Sequence, residues 1–290
     1  MPDHSGNRMR PAGTHGHQTP GAVERLAARD VWIVAGATSF IVIVAGLYTV
    51  LGVGMNMSAL QMTAMARDIG RPMSMGMGPQ WSAGYAVLIF LMWWVMMIAM
   101  MTPSVAPMLL LFAAIKKTGP DRARAHLLTW VFLFGYLSVW AGFSAVATGL
   151  QWGLQSLGLV DGAMMTIQSR GFAGLVLLLA GLFQFSTLKT KCLEHCRSPA
   201  HFLAAHRRPG ASGALFMGMR HGTFCLGCCW ALMALLFVGG IMNLYWIVGL
   251  ALYVLAEKLA PRPDIFNKLV GVALIAVGLW VTTTGFSSAT

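Results

Sequence analysis

All five cysteines of the chain fall between residues 192 and 229. They lie in two short pieces, KCLEHC at 191–196 and RHGTFCLGCCW at 220–230, each with its own histidine, His195 and His221. Cys192 and Cys196 stand one helical turn apart with His195 beside them. Cys225 and Cys228 form a CxxC with Cys229 adjacent, and His221 precedes Cys225 by one turn. Thiols and imidazoles grouped in this way bind soft metals or exchange electrons. The odd count argues against a simple disulfide framework. Small buried hydrophobes at a helix start would account for Cys228 and Cys229, but less well for five thiols and two histidines.

Methionine is the second soft donor. Residues 91–107, LMWWVMMIAMMTPSVAP, carry two pairs spaced to stack on a helix, Met96/Met100 and Met97/Met101, with Met92 one turn earlier. Alone, the stretch also suits an adaptable apolar helix. As one helix, 83–115 would be about 50 Å long, well beyond a hydrocarbon core of ~30 Å. It is therefore expected to tilt, bend or break, with Pro103 and Pro107 as the weak points. Between residues 54 and 82 a third group alternates methionine with small polar residues: Met55 and Met57, then Met73, Met75 and Met77. Thioethers select Cu(I) over harder ions, whereas the Cys/His cluster would also accept zinc.

These donors must be held by membrane helices. The chain has 290 residues, 57% hydrophobic and only 10% charged, with a mean hydropathy of +0.68. We expect an all-α, polytopic transmembrane helix bundle of about seven spans, at 31–53, 83–115, 127–152, 170–188, 222–240, 242–258 and 267–285. Residues 1–30 are expected to be a disordered cytoplasmic tail, and 31–285 the helical domain. Within that domain, 54–82 is the Met-rich external loop and 189–221 a cytoplasmic Cys/His/basic loop. Of the 20 basic residues, only Arg67, Arg71 and Arg170 would lie outside if the N-terminus is inside and the C-terminus outside, which favours that orientation. A basic face against anionic lipid accounts for the net charge of +11 without nucleic acid. Glu257 and Lys258, at the end of a span, are expected to be an interfacial pair. No nucleotide-binding motif, internal repeat or intramembrane carboxylate pair suggests a pump or coupled carrier.

The combination MxxAMMxPxxxP (Met96–Pro107), HCRSP (His195–Pro199) and MGxRHGxxCxGCCWALM (Met217–Met233) resembles a bacterial family of uncharacterised, predicted metal-binding integral membrane proteins, over roughly 80–285. The resemblance implies a helical protein of the bacterial inner membrane with a metal site that includes His195, Cys196, His221, Cys225, Cys228 and Cys229. The order of donors also resembles that of high-affinity copper uptake channels, although those have three spans per chain. The expected function is Cu(I) binding, with uptake or transfer from the outer methionines through the Met-lined span to the cysteines. Two alternatives stand beside it: a thiol-disulfide oxidoreductase using Cys225 and Cys228, and an accessory subunit inserting copper into a membrane metalloenzyme. Expected partners are a metal ion, the lipid bilayer, and a second copy of the chain, a metalloenzyme or a copper chaperone.

Overall fold

The computed structural model describes residues 22–52, 58–65, 80–162 and 165–287. Its helices, in chain order, are α1 (Ala22–Leu51), α2 (Ala59–Met65), α3 (Ala83–Thr118), α4 (Ala125–Ser156), α5 (Arg170–Phe183), α6 (Thr187–Arg197), α7 (Pro199–Ala205), α8 (Gly210–Ala234), α9 (Leu236–Gly239), α10 (Leu244–Leu259) and α11 (Pro263–Ser287). Among the described residues no strand forms; one isolated bridge pairs Val160 with Ile167. The helix starts follow from local chemistry. Ser82, Ser169, Ser186 and Asn243 precede α3, α5, α6 and α10, and each side chain accepts a hydrogen bond from a backbone N–H of the first turn. Lys116 and Lys117 sit in the last turn of α3, where the helix dipole favours cations.

Among the described residues, four helices are long and apolar enough to cross a membrane: Ala83–Thr118, Arg122–Ser156, Gly210–Gly239 and Pro263–Thr284. A fifth crossing results if α5 and α6, which meet at a bend of 63°, count as one span. This is fewer than the seven expected, and helix length is the reason. The apolar stretch at 242–258 forms only the 16 residues of α10, which at 1.5 Å per residue extend about 24 Å against a core of ~30 Å. The stretch at 170–188 yields a helix of 14 residues before it bends. Ala35–Leu51 of α1 is likewise a short apolar helix. Of the expected tilt, bend or break in α3, a break does not occur, because the helix runs through both Pro103 and Pro107. Around Pro103, the hydroxyls of Thr102 and Ser104 bond back to the carbonyls of Ile98 and Met101. The stretch expected to be a cytoplasmic loop, 189–221, is mostly helical, comprising most of α6, all of α7 and the start of α8.

The core lies where α3, α4, α8 and α10 converge, with α1 covering α3 and the α5–α11 pair outside. Helices α4 and α8 touch backbone to backbone. A Cβ on Gly218 would lie 2.0 Å from the Phe132 carbonyl oxygen, and one on Gly135 would lie 2.3 Å from that of Leu215. Close approach through small residues is how helices gain packing where lipid is as apolar as the side chains.

A buried ion pair holds three further elements. Lys189 of α6 meets Glu257 of α10 at 2.5 Å, with both side chains at most 1% exposed. Lys189 Nζ also donates to the Cys228 carbonyl of α8 at 3.1 Å. The expected interfacial Glu257–Lys258 pair is therefore corrected. Both residues are buried, and Glu257 pairs with Lys189, because α10 ends inside the bundle.

Two stability measurements check this packing. Gly218→Leu should abolish monodisperse recovery after detergent extraction, whereas Gly36→Leu, where an added Cβ meets nothing within 4 Å, should leave it unchanged. Glu257→Leu strands the Lys189 ammonium and should destabilise the fold by about 3–5 kcal/mol, seen as a lower melting temperature in detergent. Adding Lys189→Met to that variant should recover most of the loss.

Candidate metal centre

Helix α8 places His221, Cys225 and Cys229 at successive turns of one face, with Cys228 beside them, and all four are buried. The close contact at Gly218 and Gly222 brings α4 against that face. Tyr136 of α4 consequently reaches Cys225, its hydroxyl 3.1 Å from the sulfur, and donates a longer bond of 3.4 Å to the Met101 carbonyl on α3. From α10, Lys258 Nζ donates to Cys225 Sγ at 3.2 Å and to Ser104 Oγ of α3 at 2.9 Å. From α6, Cys196 brings its thiol to those of Cys225 and Cys228. The Cys225 sulfur thus stands where five helices meet.

The remaining donors are held less directly. Cys228 and Cys229 turn their thiols back along α8 and donate to the Cys225 carbonyl at 3.0 and 2.9 Å. Cys192 is buried against Gly227, where an added Cβ would lie 2.7 Å from its sulfur, so the glycine of the CLGC motif makes room for a thiol. None of the five cysteines is in a disulfide. His221 is 1% exposed and ringed by Phe132, Tyr136 and Phe202, with centroids 5.2–6.2 Å away. Its Nδ1 has no hydrogen-bond partner, an unsatisfied buried group that asks for a ligand. His195 is set apart from this ring. It stacks on Phe224 at 4.2 Å and 10°, half-exposed, with Nδ1 against the Lys191 carbonyl.

Among the described residues, no three His, Cys, Asp or Glu side chains are arranged to enclose an ion. The cause is visible in the rotamers: two thiols face a carbonyl, and His221 lies one turn from Cys225. What the fold assembles is a close contact between Cys225 and Cys196, backed by a reserve of thiols. Such a donor set fits a soft ion of low coordination number better than one needing a closed tetrahedral shell.

The methionines of α3 all face protein. Met92, Met96, Met97, Met100 and Met101 are each at most 3% exposed, and both stacked pairs belong to the core together with Met165, Met233 and Met242. Both faces are covered because α3 is wrapped by α1, α4 and α10. Trp93, one turn before Met97, is fixed by donating from Nε1 to Gln151 Oε1 at 2.9 Å. Met55, Met57, Met73, Met75 and Met77 lie outside the described residues.

Tyr136, Ser104 and Lys189 carry no site expectation in the sequence, and Lys258, expected in an interfacial pair, belongs to the centre as well. The signal for the lysines was present. Ionisable residues beside apolar runs are functional by default when the run is too short to carry them out of the bilayer. Tyr136 and Ser104 carry no such mark, since nothing in their neighbourhoods separates them from ordinary helix residues.

No curated protein and no solved structure matches this chain. One family model does, over residues 90–281, a segment that runs from α3 into α11 and holds all five cysteines and the α3 methionine pairs. By that match, covering well over half its length, the chain belongs to the PpoB2 family, described as copper chaperones.

Proposed function

We propose that this protein is an intramembrane Cu(I) carrier, which accepts the ion through the α3 methionines and holds it between Cys225 and Cys196 for transfer. The observation that carries this reading is the position of Tyr136. Its hydroxyl touches both the Met101 turn and the Cys225 sulfur, so the end of the methionine pairs and the thiol centre are neighbours. The copper-chaperone family and the soft, buried donor set support the same ion.

The charges fit as well. Two thiolates and one Cu(I) carry a net charge of −1, and Lys258 supplies one compensating positive charge at 3.2 Å from Cys225. Thioethers take Cu(I) without losing a proton, whereas thiols must be deprotonated and then hold it more tightly. Transfer from Met97/Met101 to Cys225 is therefore downhill. His221 Nδ1 and the thiols of Cys228 and Cys229 are the next donors within the bundle, and Cys192 and His195 flank them. The methionines 55, 57, 73, 75 and 77 are the proposed point of entry, and the protein is placed in the bacterial inner membrane. The recipient is an inner copper chaperone or a membrane metalloenzyme. Zinc is disfavoured because a structural zinc site needs four donors in a closed tetrahedron.

Copper content of protein purified under anaerobic, reducing conditions tests the centre. Cys225→Ser should remove tightly held copper, and Lys258→Met should weaken binding by about 10–100-fold, as loss of a partner to a metal ligand does. Metal retained in full by Cys225→Ser, or quinone-dependent thiol activity in metal-free protein, would favour the oxidoreductase instead. The methionine step has its own test. Met97→Leu with Met101→Leu nearly conserves volume and should leave the melting temperature within a few degrees. It should slow loading of the thiols in stopped-flow measurements with a Cu(I) chelate as donor. An unchanged loading rate would reduce these methionines to core packing.

A further inference from the structure

A cavity of about 540 Å³ opens at the end of the bundle where α3 finishes and α8 begins, with Met217 of its wall one helical turn before His221. That volume is in the range of small-molecule sites, roughly 300–1,000 Å³. Its floor is apolar, formed by Phe112 of α3, Leu203 of α7 and Met217 of α8, and its rim is basic, formed by Lys116, Arg207 and Arg208.

The charges of the rim do not cancel. Lys116 is paired with Asp121 at 2.8 Å, which leaves the two guanidinium groups as the positive excess. Arg207 and Arg208 are both exposed. Arg208 sits over the Phe216 ring, its Cζ 4.0 Å from the centroid, a cation–π contact that holds the guanidinium at this end of the bundle. The single 3-10 turn Arg122–Arg124, which follows Asp121, adds two more arginines to the same end of the bundle.

The apolar part continues outward. Ile115, also on the cavity wall, is 40% exposed, so the floor runs into the outer surface of α3 and is not sealed by protein. An apolar slot open to the flank of a membrane helix, with two guanidinium groups at the level where the helix ends, matches a molecule with one acyl chain to bury and one phosphate to pair. A soluble anion would use the rim and leave the floor uncovered.

We infer that this cavity is a binding site for an anionic phospholipid, with the headgroup phosphate at Arg207 and Arg208 and an acyl chain over Phe112, Leu203 and Met217. The inference rests on the membrane placement of the helices and is independent of copper. Basic pockets between helices on the cytoplasmic side of membrane proteins hold acidic headgroups by this combination of charge and shape.

Native mass spectrometry of protein extracted from membranes of mixed phosphatidylglycerol and phosphatidylcholine tests the inference. The wild type should retain phosphatidylglycerol in preference to phosphatidylcholine. Arg207→Gln with Arg208→Gln, both exposed and so compatible with folding, should reduce that preference by about 25-fold, each basic residue near an anionic surface counting for about fivefold. Leu203→Trp, which fills the floor and keeps the charges, should lower retention of lipid while the protein stays monodisperse. Equal retention of both lipids by the wild type, or an undiminished preference in the double variant, would overturn the inference. So would displacement of the lipid by millimolar inorganic phosphate, which would identify a site for free anions.

Discussion

The backbone contact between α4 and α8 is the constraint on which the rest of the centre depends. With a carbonyl oxygen of Phe132 standing where a Cβ of residue 218 would be, the two helices cannot slide or rotate without a clash. That fixed register decides that Tyr136, and no other residue of α4, meets the sulfur of Cys225. It also sets how deep His221 lies among Phe132, Tyr136 and Phe202. In lipid there is little hydrophobic gain in bringing helices together, so close van der Waals contact must supply the cohesion. The small residues that allow that contact belong as much to the site as its donors do.

Electrostatics then limits what the centre can hold. Lys189 and Glu257 neutralise each other, while Lys258 is buried with Ser104 and Cys225 as its neighbours. An ammonium taken out of water without an anion nearby is penalised by several kcal/mol. Among the described residues Lys258 donates to Ser104 Oγ and to Cys225 Sγ, so negative charge arriving at that sulfur would offset the ammonium. A divalent ion held by the same two sulfurs would make a neutral complex and leave the ammonium uncompensated. A monovalent ion leaves one negative charge for Lys258 to balance. The proposed preference for Cu(I) would thus have a source in charge as well as in the softness of sulfur.

Much of this organisation was legible in the residue types. The grouping of cysteines, the i,i+4 methionine pairs and the helical class all follow from spacing and composition, and the α3 methionines are buried next to the thiols. Crossing number was not legible. Apolarity alone cannot distinguish a complete span from a helix such as α10, which ends inside the bundle when its last residues find partners there. The same blindness hid Lys258, because a lysine at the end of an apolar run has one meaning at a lipid headgroup and the opposite meaning beside a buried thiol. His195 was overvalued for the related reason that sequence adjacency to Cys196 does not survive helical geometry, which turns consecutive side chains about 100° apart. Phe224 claims its ring instead.

A carrier differs from a sink in having an exit, and the arrangement of thiols bears on this. Cu(I) leaves a two-sulfur centre most easily by exchanging one ligand at a time, since full dissociation into a low-dielectric interior would expose a bare ion. Cys228 and Cys229 are placed for such exchange. Their sulfurs are engaged by weak bonds to the Cys225 carbonyl, which a change of rotamer breaks at little expense. Had all the thiols pointed at one locus, they would have formed a closed shell that holds metal permanently, as structural zinc sites do. Two engaged sulfurs with others turned aside, balanced by a single ammonium, are the arrangement that the proposed carrier role requires.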